Sequence, residues 1–233
     1  MKLAADIKLT IHDDFEALSQ SVAQRIALIA AQTIAKRGSF SIALSGGETP
    51  RHCYELLSTL KINWQLVHIY FCDERCLPRA HPQRNDSMTQ AALLRRIDIP
   101  VGNVNFIPAE HGPQIAAAEY AVTVQQNLPL DLILLGMGED GHTASLFPDN
   151  PSIELDTVTV PVFNAPKPPA ERVSLGLSTM NAAGSKIFLV SGKTKQEALR
   201  HILRGEKLPA ARITGAEWHV DCAALPDEIS TAK

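Results

Sequence analysis

Short apolar segments alternate with amphipathic segments through the first 150 residues, and this alternation limits the folds open to the chain. Residues 40–44 and 130–135 have the length and composition of buried strands, and a glycine-rich turn follows each of them. Strands that alternate with helices indicate a parallel sheet covered on both faces. We therefore predict an α/β fold, a doubly wound, mainly parallel, Rossmann-like sheet with helices on both faces. Because no flexible linker divides the chain, we expect a single domain over residues 1–233.

The periodicity of the remaining residues predicts the other elements. Further strands are expected over residues 7–11, 65–71, 104–107, 157–163, 186–190 and 218–222, and residues 172–177 are expected to be extended. A first helix follows Asp13 or Asp14 and ends before Gly38, and its apolar stripe consists of Phe15, Leu18, Val22, Ile26 and Ile29. Other helices are expected over residues 51–60, 85–96, 113–126, 178–182 and 192–204.

Composition and charge limit the kinds of partner. A formal net charge of −3 and a pI near 6.2 give no general electrostatic reason to bind nucleic acid or an anionic membrane. Residues 1–10 carry Lys2, Asp6 and Lys8 rather than a signal-peptide core, and no apolar run approaches the length of a bilayer span. We therefore expect a soluble cytoplasmic protein. No metal is expected, and the cysteines lack a metal-ligand spacing and are expected to be reduced thiols: Cys53, Cys72, Cys76 and Cys222.

The loop after residues 130–135 contains the best candidate for a catalytic base. Tight turns and close backbone approaches are possible there because the loop contains Gly136, Gly138 and Gly141. His142 follows directly, at the carboxyl end of a predicted parallel strand, where ligands bind in such sheets. The glycine spacing also fits a dinucleotide site, but Pro148 leaves no room for the long helix that such a site needs. A plain turn with a solvated histidine is the other alternative.

The turn after residues 40–44 has the composition of an anion site. Its sequence is Ser45-Gly46-Gly47-Glu48-Thr49-Pro50, and we expect Thr49 to cap a helix whose first residue is Pro50. Backbone N–H groups of the glycines would then lie close to a helix N-terminus, which favours a phosphate. Because the Gly-Lys-Ser/Thr ending of a nucleotide loop is missing, a single phosphate is predicted. An unliganded turn between strand and helix is the alternative.

Charged residues stand at two further places where a site is expected. The sequence Cys72-Asp73-Glu74-Arg75 ends the strand at residues 65–71, and Arg75 could bind a phosphate or a developing oxyanion. A plain Asp–Arg ion pair is the alternative there. Lys193 and Lys195 lie near a helix N-terminus, against the preference set by the helix dipole. A bound anion would explain both lysines, and so would simple exposure to solvent.

Three of these segments together resemble the 6-phosphogluconolactonases, within a superfamily shared with glucosamine-6-phosphate deaminases and ribose-5-phosphate isomerases. They are Leu44-Ser-Gly-Gly-Glu-Thr-Pro50, Phe71-Cys-Asp-Glu-Arg75 and Leu135-Gly-Met-Gly-Glu-Asp-Gly-His-Thr-Ala-Ser-Leu-Phe-Pro148. The resemblance extends over nearly the whole chain through Pro169-Ala-Glu-Arg172 and Ser191-Gly-Lys-Thr-Lys195. The deaminases carry a glutamate where this chain has Phe147, and a tyrosine where it has Arg75. The resemblance therefore favours the lactonases.

This resemblance implies a fold like that of glucosamine-6-phosphate deaminase and a cofactor-free hydrolysis in the oxidative pentose phosphate pathway. The substrate would be 6-phospho-D-glucono-1,5-lactone, a small sugar phosphate, and the enzyme would be a monomer or a weak homodimer. A sugar-phosphate sensor that uses the same fold without catalysis is the non-enzymatic alternative.

The resemblance also assigns roles to residues of the predicted site. His142 would be the general base, because imidazole exchanges protons near neutral pH, with Asp140 and Arg75 as further catalytic residues. Contacts to substrate and phosphate would come from Ser45, Gly46, Gly47, Thr49, Asp73, Arg75, Asn85, Arg172 and Lys195. Many relatives have Ser-Asn where this chain has Arg84-Asn85, so one contact made through that serine is in doubt.

Overall fold

A parallel sheet of six strands lies at the centre of the computed structural model, which describes residues 7–227. In chain order, the strands of the protein are Lys8–His12 (β1), Phe40–Leu44 (β2), Val67–Phe71 (β3), Asp73–Arg75 (β4), Leu132–Gly136 (β5), Thr159–Val162 (β6), Arg172–Leu175 (β7), Ser185–Val190 (β8) and Glu217–Asp221 (β9). The large sheet has the order β1-β9-β8-β5-β2-β3, and every neighbouring pair is parallel. The predicted α/β class and mainly parallel sheet are therefore confirmed. Lys2 and Asp6, part of the argument against a signal peptide, lie outside the described residues.

The helices connect these strands. Within residues 7–227 the α-helices are Phe15–Arg37 (α1), Glu48–Leu57 (α2), Asn85–Ala92 (α3), Pro113–Gln125 (α4), Leu177–Ala182 (α5) and Gln196–Leu203 (α6). Among them, no helix is long and apolar enough to cross a membrane. The last predicted helix, over residues 192–204, starts later than expected, because Lys193–Lys195 form a 3₁₀ turn before α6.

Helix α1 begins and ends where its sequence predicts. The side chain of Asp14 accepts a hydrogen bond from the backbone N–H of Ala17 at 2.8 Å, and Gly38 ends the helix with a φ of 80°. The buried stripe contains Leu18, Val22, Ile26 and Ile29, as predicted. Phe15 is the exception, since it is 37 % exposed at the first helical position. Its ring packs on His52 of α2, with 5.0 Å between ring centroids, instead of on the sheet.

The central strands explain why the sequence contains continuous apolar segments rather than alternating ones. All five residues of β2 are buried, and so are the first four of β5. These two strands are neighbours in the middle of the large sheet. A strand in that position is covered on both faces, so both sets of side chains are apolar. Polar and flexible residues begin where these strands end, and that edge of the sheet carries the loops of the site.

A second, antiparallel sheet has the strand order β4-β7-β6. Only Cys72 separates the end of β3 from β4, so the chain passes directly from one sheet to the other. In β4, Asp73 pairs with Ser174 and Arg75 pairs with Arg172 of β7. The segments expected to be extended at residues 157–163 and 172–177 contain β6 and β7, although β7 ends at Leu175 and Leu177 begins α5. Their assembly into a separate sheet with β4 is a finding of the structure.

One predicted helix end and one predicted strand between residues 85 and 107 are wrong. Helix α3 ends at Ala92, because Leu93 leaves the helical conformation with φ −130° and ψ −63°, and a short 3₁₀ turn follows. Residues 104–107 form no strand. A single bridge joins Val104 to Ile69, after which Pro108 and a 3₁₀ turn take the chain away from the sheet edge.

Candidate active site

A cleft of about 340 Å³ lies at the carboxyl ends of β2, β5 and β8. Ser45 follows β2, Met137 follows β5 and Ser191 follows β8, and all three residues line it. This is the position at which ligands bind in open parallel sheets. The cleft brings together the following residues predicted for the site: Ser45, Gly46, Gly47, Thr49, Asp73, Arg75, Asn85, His142, Arg172 and Lys195. Asp140 is the one predicted residue that does not line the cleft, and it contacts His142 directly.

His142 and Asp140 form a closely bonded pair. His142 Nδ1 lies 2.5 Å from Asp140 Oδ1, and the same oxygen accepts the backbone N–H of His142 at 3.2 Å. Burial by itself raises the pKa of Asp140, but the hydrogen bond and charge of His142 outweigh it and lower this pKa to about 2. Asp140 is therefore a carboxylate at neutral pH. No residue in the described range hydrogen-bonds to Nε2 of His142, so that nitrogen is free to act on a ligand.

The glycines of this loop hold the pair in place. A Cβ atom on Gly138 would lie 2.0 Å from His142 Nδ1 and 2.6 Å from Asp140 Oδ1, so only glycine fits there. The backbone N–H of Gly138 donates to the carbonyl of His142 at 2.8 Å, and Gly141 adopts a φ of 78°. On its other side, the His142 ring packs against Phe147, with 4.5 Å between centroids. The imidazole is therefore fixed from several directions.

The glycine-rich turn after β2 lies at the N-terminus of α2, but the cap differs from the prediction. Helix α2 begins at Glu48 with Gly47 as its N-cap, and no side chain caps it. Gly47 has a φ of 116°, so the chain enters the helix two residues earlier than predicted, and Thr49 and Pro50 lie in its first turn. The prediction of Thr49 as the cap is therefore wrong. No cap side chain therefore hydrogen-bonds to the first backbone N–H groups of α2. In anion-binding sites, N–H groups of this kind donate to the ligand.

Gly46 is also required for the shape of the cleft. A Cβ atom at this position would lie 1.8 Å from Asn85 Oδ1, so the Asn85 side chain packs directly on the backbone of the turn. Asn85 Nδ2 donates to Asp73 Oδ1 at 3.0 Å and to the carbonyl of Asp73 at 2.9 Å. Ser145 Oγ donates to the other carboxylate oxygen of Asp73 at 2.6 Å. Asp73 is thus buried and held by neutral donors.

Arg75 and Arg172 have no carboxylate within ion-pair distance among residues 7–227. The Arg75 Nη1 group donates to the carbonyl of Gln83, so the predicted alternative of an Asp73–Arg75 ion pair is wrong. Arg172 donates from Nη2 to the carbonyl of Lys167 at 2.8 Å and from Nε to that of Pro169 at 3.1 Å. Burial lowers the pKa of Arg172. Two guanidinium groups in one cleft wall therefore favour the binding of an anion.

Two lysines line the cleft near the His142 loop, Lys195 and Lys167. Lys195 is half-buried, and burial lowers its pKa while Glu139 and Asp140 act to raise it. Lys167, which lines the cleft from the proline-rich loop, lies 2.9 Å from Glu139. Lys193 is exposed and does not line the cleft, so solvation accounts for it.

Ser191 and Lys167 line the cleft but were given no role in the prediction from the sequence. Ser191 follows β8 directly, and its position at the end of a parallel strand could have identified it. Lys167 carries no local signal, because its place depends on the fold of the proline-rich loop. Within the described part of the chain, no group of three or more His, Cys, Asp or Glu side chains could hold a metal ion.

Comparison with known proteins gives a consistent result. A family model described as glucosamine-6-phosphate isomerases/6-phosphogluconolactonase matches residues 13–221. The chain is 38 % identical over 178 residues to a 6-phosphogluconolactonase of Nostoc sp., covering 72 % of this chain and 73 % of the relative. It is 37 % identical over 230 residues to the human 6-phosphogluconolactonase, covering 89 % of this chain and 87 % of the relative.

Solved structures extend the comparison to the fold. The structure is similar to that of 6-phosphogluconolactonase from Thermotoga maritima, with a TM-score of 0.87 and 28 % identity over 92 % of this chain and 99 % of the other. A monomeric glucosamine-6-phosphate deaminase aligns with a TM-score of 0.81 at 23 % identity, over 94 % of this chain and 98 % of the other, a likeness of fold alone.

Proposed function

The chain belongs to the family of glucosamine-6-phosphate isomerases and 6-phosphogluconolactonases, and on this premise we propose how its cleft works. The protein is a lactonase that hydrolyses 6-phospho-D-glucono-1,5-lactone to 6-phospho-D-gluconate, a step of the oxidative pentose phosphate pathway. The observation that supports this function most directly is the His142–Asp140 pair, whose imidazole lines the same cleft as two arginines without a carboxylate at ion-pair distance.

His142 acts as the general base in the proposed mechanism. Its Nε2 accepts a proton from a water molecule as the water oxygen attacks the lactone carbonyl. When the tetrahedral intermediate collapses, the bond between the carbonyl carbon and the ring oxygen breaks, and the same proton passes to that oxygen. The sum is the addition of one water across the ester bond, with His142 regenerated. General base action of this kind contributes about 10²–10⁴-fold to the rate.

Asp140 orients the base and stabilises its charged form. The carboxylate lies on Nδ1, so the neutral imidazole carries its proton there and presents the Nε2 lone pair to water. When His142 becomes an imidazolium, the adjacent carboxylate offsets the new positive charge. The low pKa of Asp140 supports this role, because the group stays ionised throughout.

The substrate phosphate binds between the glycine-rich turn and the arginines. The phosphate donors are the backbone N–H groups of Gly46 and Gly47, just before the N-terminus of α2, together with Ser45 and Thr49. Arg75 and Arg172 supply positive charge from the neighbouring sheet. A phosphate dianion offsets both charges, whereas a carbonyl oxygen acquires only one negative charge during attack. This difference favours the phosphate over the oxyanion as the ligand of the arginine pair.

The remaining predicted contacts complete the proposal. Asp73 and Asn85 lie beside each other in the cleft wall and bind sugar hydroxyls, while Lys195, on the side of Asp140, assists the anionic parts of the substrate. The reaction requires no cofactor. A cytoplasmic location, a single domain over residues 1–233 and a monomeric or weakly dimeric state are further parts of the proposal, which cell fractionation, limited proteolysis and sedimentation test.

The decisive experiment measures hydrolysis of freshly generated 6-phosphogluconolactone by the purified protein, without added metal and with spontaneous opening subtracted. Glucosamine 6-phosphate is offered in parallel, with ammonia release as the readout. We expect acceleration with the lactone and none with the amino sugar, because Phe147 stands in place of the deaminase glutamate. A folded protein that leaves the lactone at its spontaneous rate would contradict the proposal.

A further inference from the structure

A buried ionic network lies behind the part of the cleft wall that carries Asn85. At its centre is Arg84, whose side chain is completely buried and does not line the main cleft. Its Nε donates to both Asp86 oxygens at 3.0 and 2.9 Å, and its Nη2 donates to Asp86 Oδ2 at 2.6 Å and to the carbonyl of Ile107 at 3.0 Å. Its Nη1 donates to the carbonyl of Leu77 at 2.9 Å and to Glu110 Oε2 at 3.0 Å. Every guanidinium nitrogen is engaged inside the protein.

Glu74 connects this network to the residues that face the substrate. Its Oε1 accepts the backbone N–H groups of Arg75 and Asn85, both at 2.8 Å. Its Oε2 accepts the backbone N–H of Asp86 at 2.9 Å and lies 3.8 Å from Arg84 Nε. The buried Glu74 carboxylate thus links β4 to the first turn of α3. Arg75 belongs to β4, and Asn85 belongs to α3.

Arg84 is the cation on which this arrangement depends. Glu74 and Asp86 are buried, and Arg84 is the arginine that contacts both of them. A buried carboxylate without a partner is costly, and it either takes up a proton or moves toward water. Either response would weaken the three backbone hydrogen bonds that Glu74 accepts. The orientations of Arg75 and Asn85 would then change together.

We propose that Arg84 is a positioning residue for substrate binding: it holds the Glu74 and Asp86 side chains in place behind the cleft wall, and Glu74 in turn fixes Arg75 and Asn85. The inference rests on the proposed function, because the substrate-binding roles of Arg75 and Asn85 belong to that proposal. It also gives a role to Arg84, which stands where many relatives carry a serine expected to contact the substrate. The side chain does not reach the substrate and acts instead from the opposite side of Asn85.

The test compares Arg84→Lys with Arg79→Gln as the matched control. Lysine keeps the charge but cannot span the same set of acceptors. Arg79 is exposed, donates to the other oxygen of Glu110 at 2.7 Å and lies over the Phe106 ring. We expect Arg84→Lys to raise KM for the lactone and Kd for 6-phosphogluconate, measured by calorimetry, by roughly five- to tenfold, with kcat per folded molecule within about twofold. Arg79→Gln leaves all three values unchanged.

A purely structural role predicts a different result. Arg84→Lys would then reduce the folded fraction and the maximal rate in proportion, with KM and Kd unchanged, and this outcome overturns the proposal. If Arg84→Lys does not fold, Asp86→Asn removes the carboxylate that accepts three of the Arg84 hydrogen bonds and retains the positive charge of Arg84. An increase of KM in that variant supports the proposal, and an unchanged KM overturns it.

A structural readout separates this inference from the proposed function. A crystal structure of Arg84→Lys is expected to show Asn85 displaced from Gly46 and its hydrogen bond to Asp73 lost. Unchanged positions of Arg75 and Asn85 would overturn the positioning role. Failure of the wild-type protein to hydrolyse the lactone would instead contradict the proposed function. The displacement of Asn85 in Arg84→Lys could still be measured in that case.

Discussion

Arg75 and Arg172 are register partners on the antiparallel strands β4 and β7. Directly opposed side chains of an antiparallel pair lie on the same face of the sheet, so two positive charges stand side by side. Each guanidinium donates to backbone carbonyls, and neither has a carboxylate within ion-pair distance in the described part of the chain. Like charges in this arrangement destabilise the empty site. An anion that binds between them removes that repulsion.

Replacement of either arginine is expected to weaken substrate binding more than catalysis. Loss of a charge-assisted hydrogen bond to phosphate costs about 1.5–3 kcal/mol, so Arg75→Ala should raise KM roughly 10- to 100-fold with kcat changed much less. Steady-state kinetics measures both values. Arg95→Ala, which removes an exposed charge outside the cleft, is the control. A fall in kcat at unchanged KM would place Arg75 at the carbonyl oxygen.

Loss of the base should affect turnover and leave binding nearly intact. His142→Gln keeps a polar side chain but cannot accept the proton, so kcat should fall about 10²–10⁴-fold. Asp140→Asn removes the charge beside Nδ1 and should cause a smaller loss. The Kd for 6-phosphogluconate should stay within about threefold for both variants. Near-normal turnover of His142→Gln would exclude this residue as the base.

A single methyl group at position 138 should displace the His142–Asp140 pair while both side chains remain unchanged. In Gly138→Ala the new Cβ would overlap His142 Nδ1, so the imidazole must shift, and a shift of about 1 Å costs on the order of 10²-fold in rate. Gly102→Ala is the matched control, because nothing lies within 4 Å of its Cβ position. Activity and thermal unfolding are measured together. Equal activity of the two variants would show that the loop adapts.

The contribution of His219 to stability should be lost as the pH falls from about 7 to 5. Burial, and secondarily His12, whose Nε2 lies 3.0 Å from His219 Nδ1, lower the pKa of His219 to about 4. At this site the folded state therefore binds fewer protons than the unfolded state between pH 6.5 and 4, so the stabilising contribution of His219 is full above this window and is lost as the pH falls. From pH 7.5 to 5 the loss is about 2 kcal/mol.

Urea unfolding of the wild type and of His219→Gln at about pH 7.5 and pH 5 tests this prediction. Burial, and secondarily Asp86, raise the pKa of Glu74 to about 7, which acts in the opposite direction, so the difference between the two proteins is the relevant quantity. The variant should be less stable than the wild type at pH 7.5, and the difference in stability between the two proteins should narrow at pH 5. Parallel pH profiles of the two proteins would contradict the assignment.

The parts of the site predicted from the sequence are those that local patterns encode. Short apolar segments gave the parallel strands, and the loops at their carboxyl ends contained Ser45, Asp73 and His142, which the cleft brings together. The apposition of Arg75 and Arg172 depends on pairing between segments almost 100 residues apart, and no local pattern encodes it. The helix start at Glu48 was missed because the unusual conformation of Gly47 outweighed the capping preference of Thr49.

The buried network was missed for a related reason. A surface position is the usual expectation for Arg84, Asp86 and Glu110, because charged residues are rarely buried unless paired. Their pairing requires α3 and the segment before α4 to pack together, which the sequence pattern does not specify. The hydrogen bond from Ser145 to Asp73 was missed for the same reason, because it joins residues that are 72 positions apart in the sequence.

The pairing of β1 with β9 has a consequence for how the protein is made. Lys8–His12 forms its parallel ladder with Glu217–Asp221, strands that lie at nearly opposite ends of the sequence. During synthesis on the ribosome, β1 therefore emerges early and has no sheet partner until almost the whole chain has been translated. Until then β8 also lacks the neighbour on that side, so a nascent or truncated chain exposes unpaired strand edges. Deletions that remove β9 should consequently yield aggregates rather than a smaller folded protein.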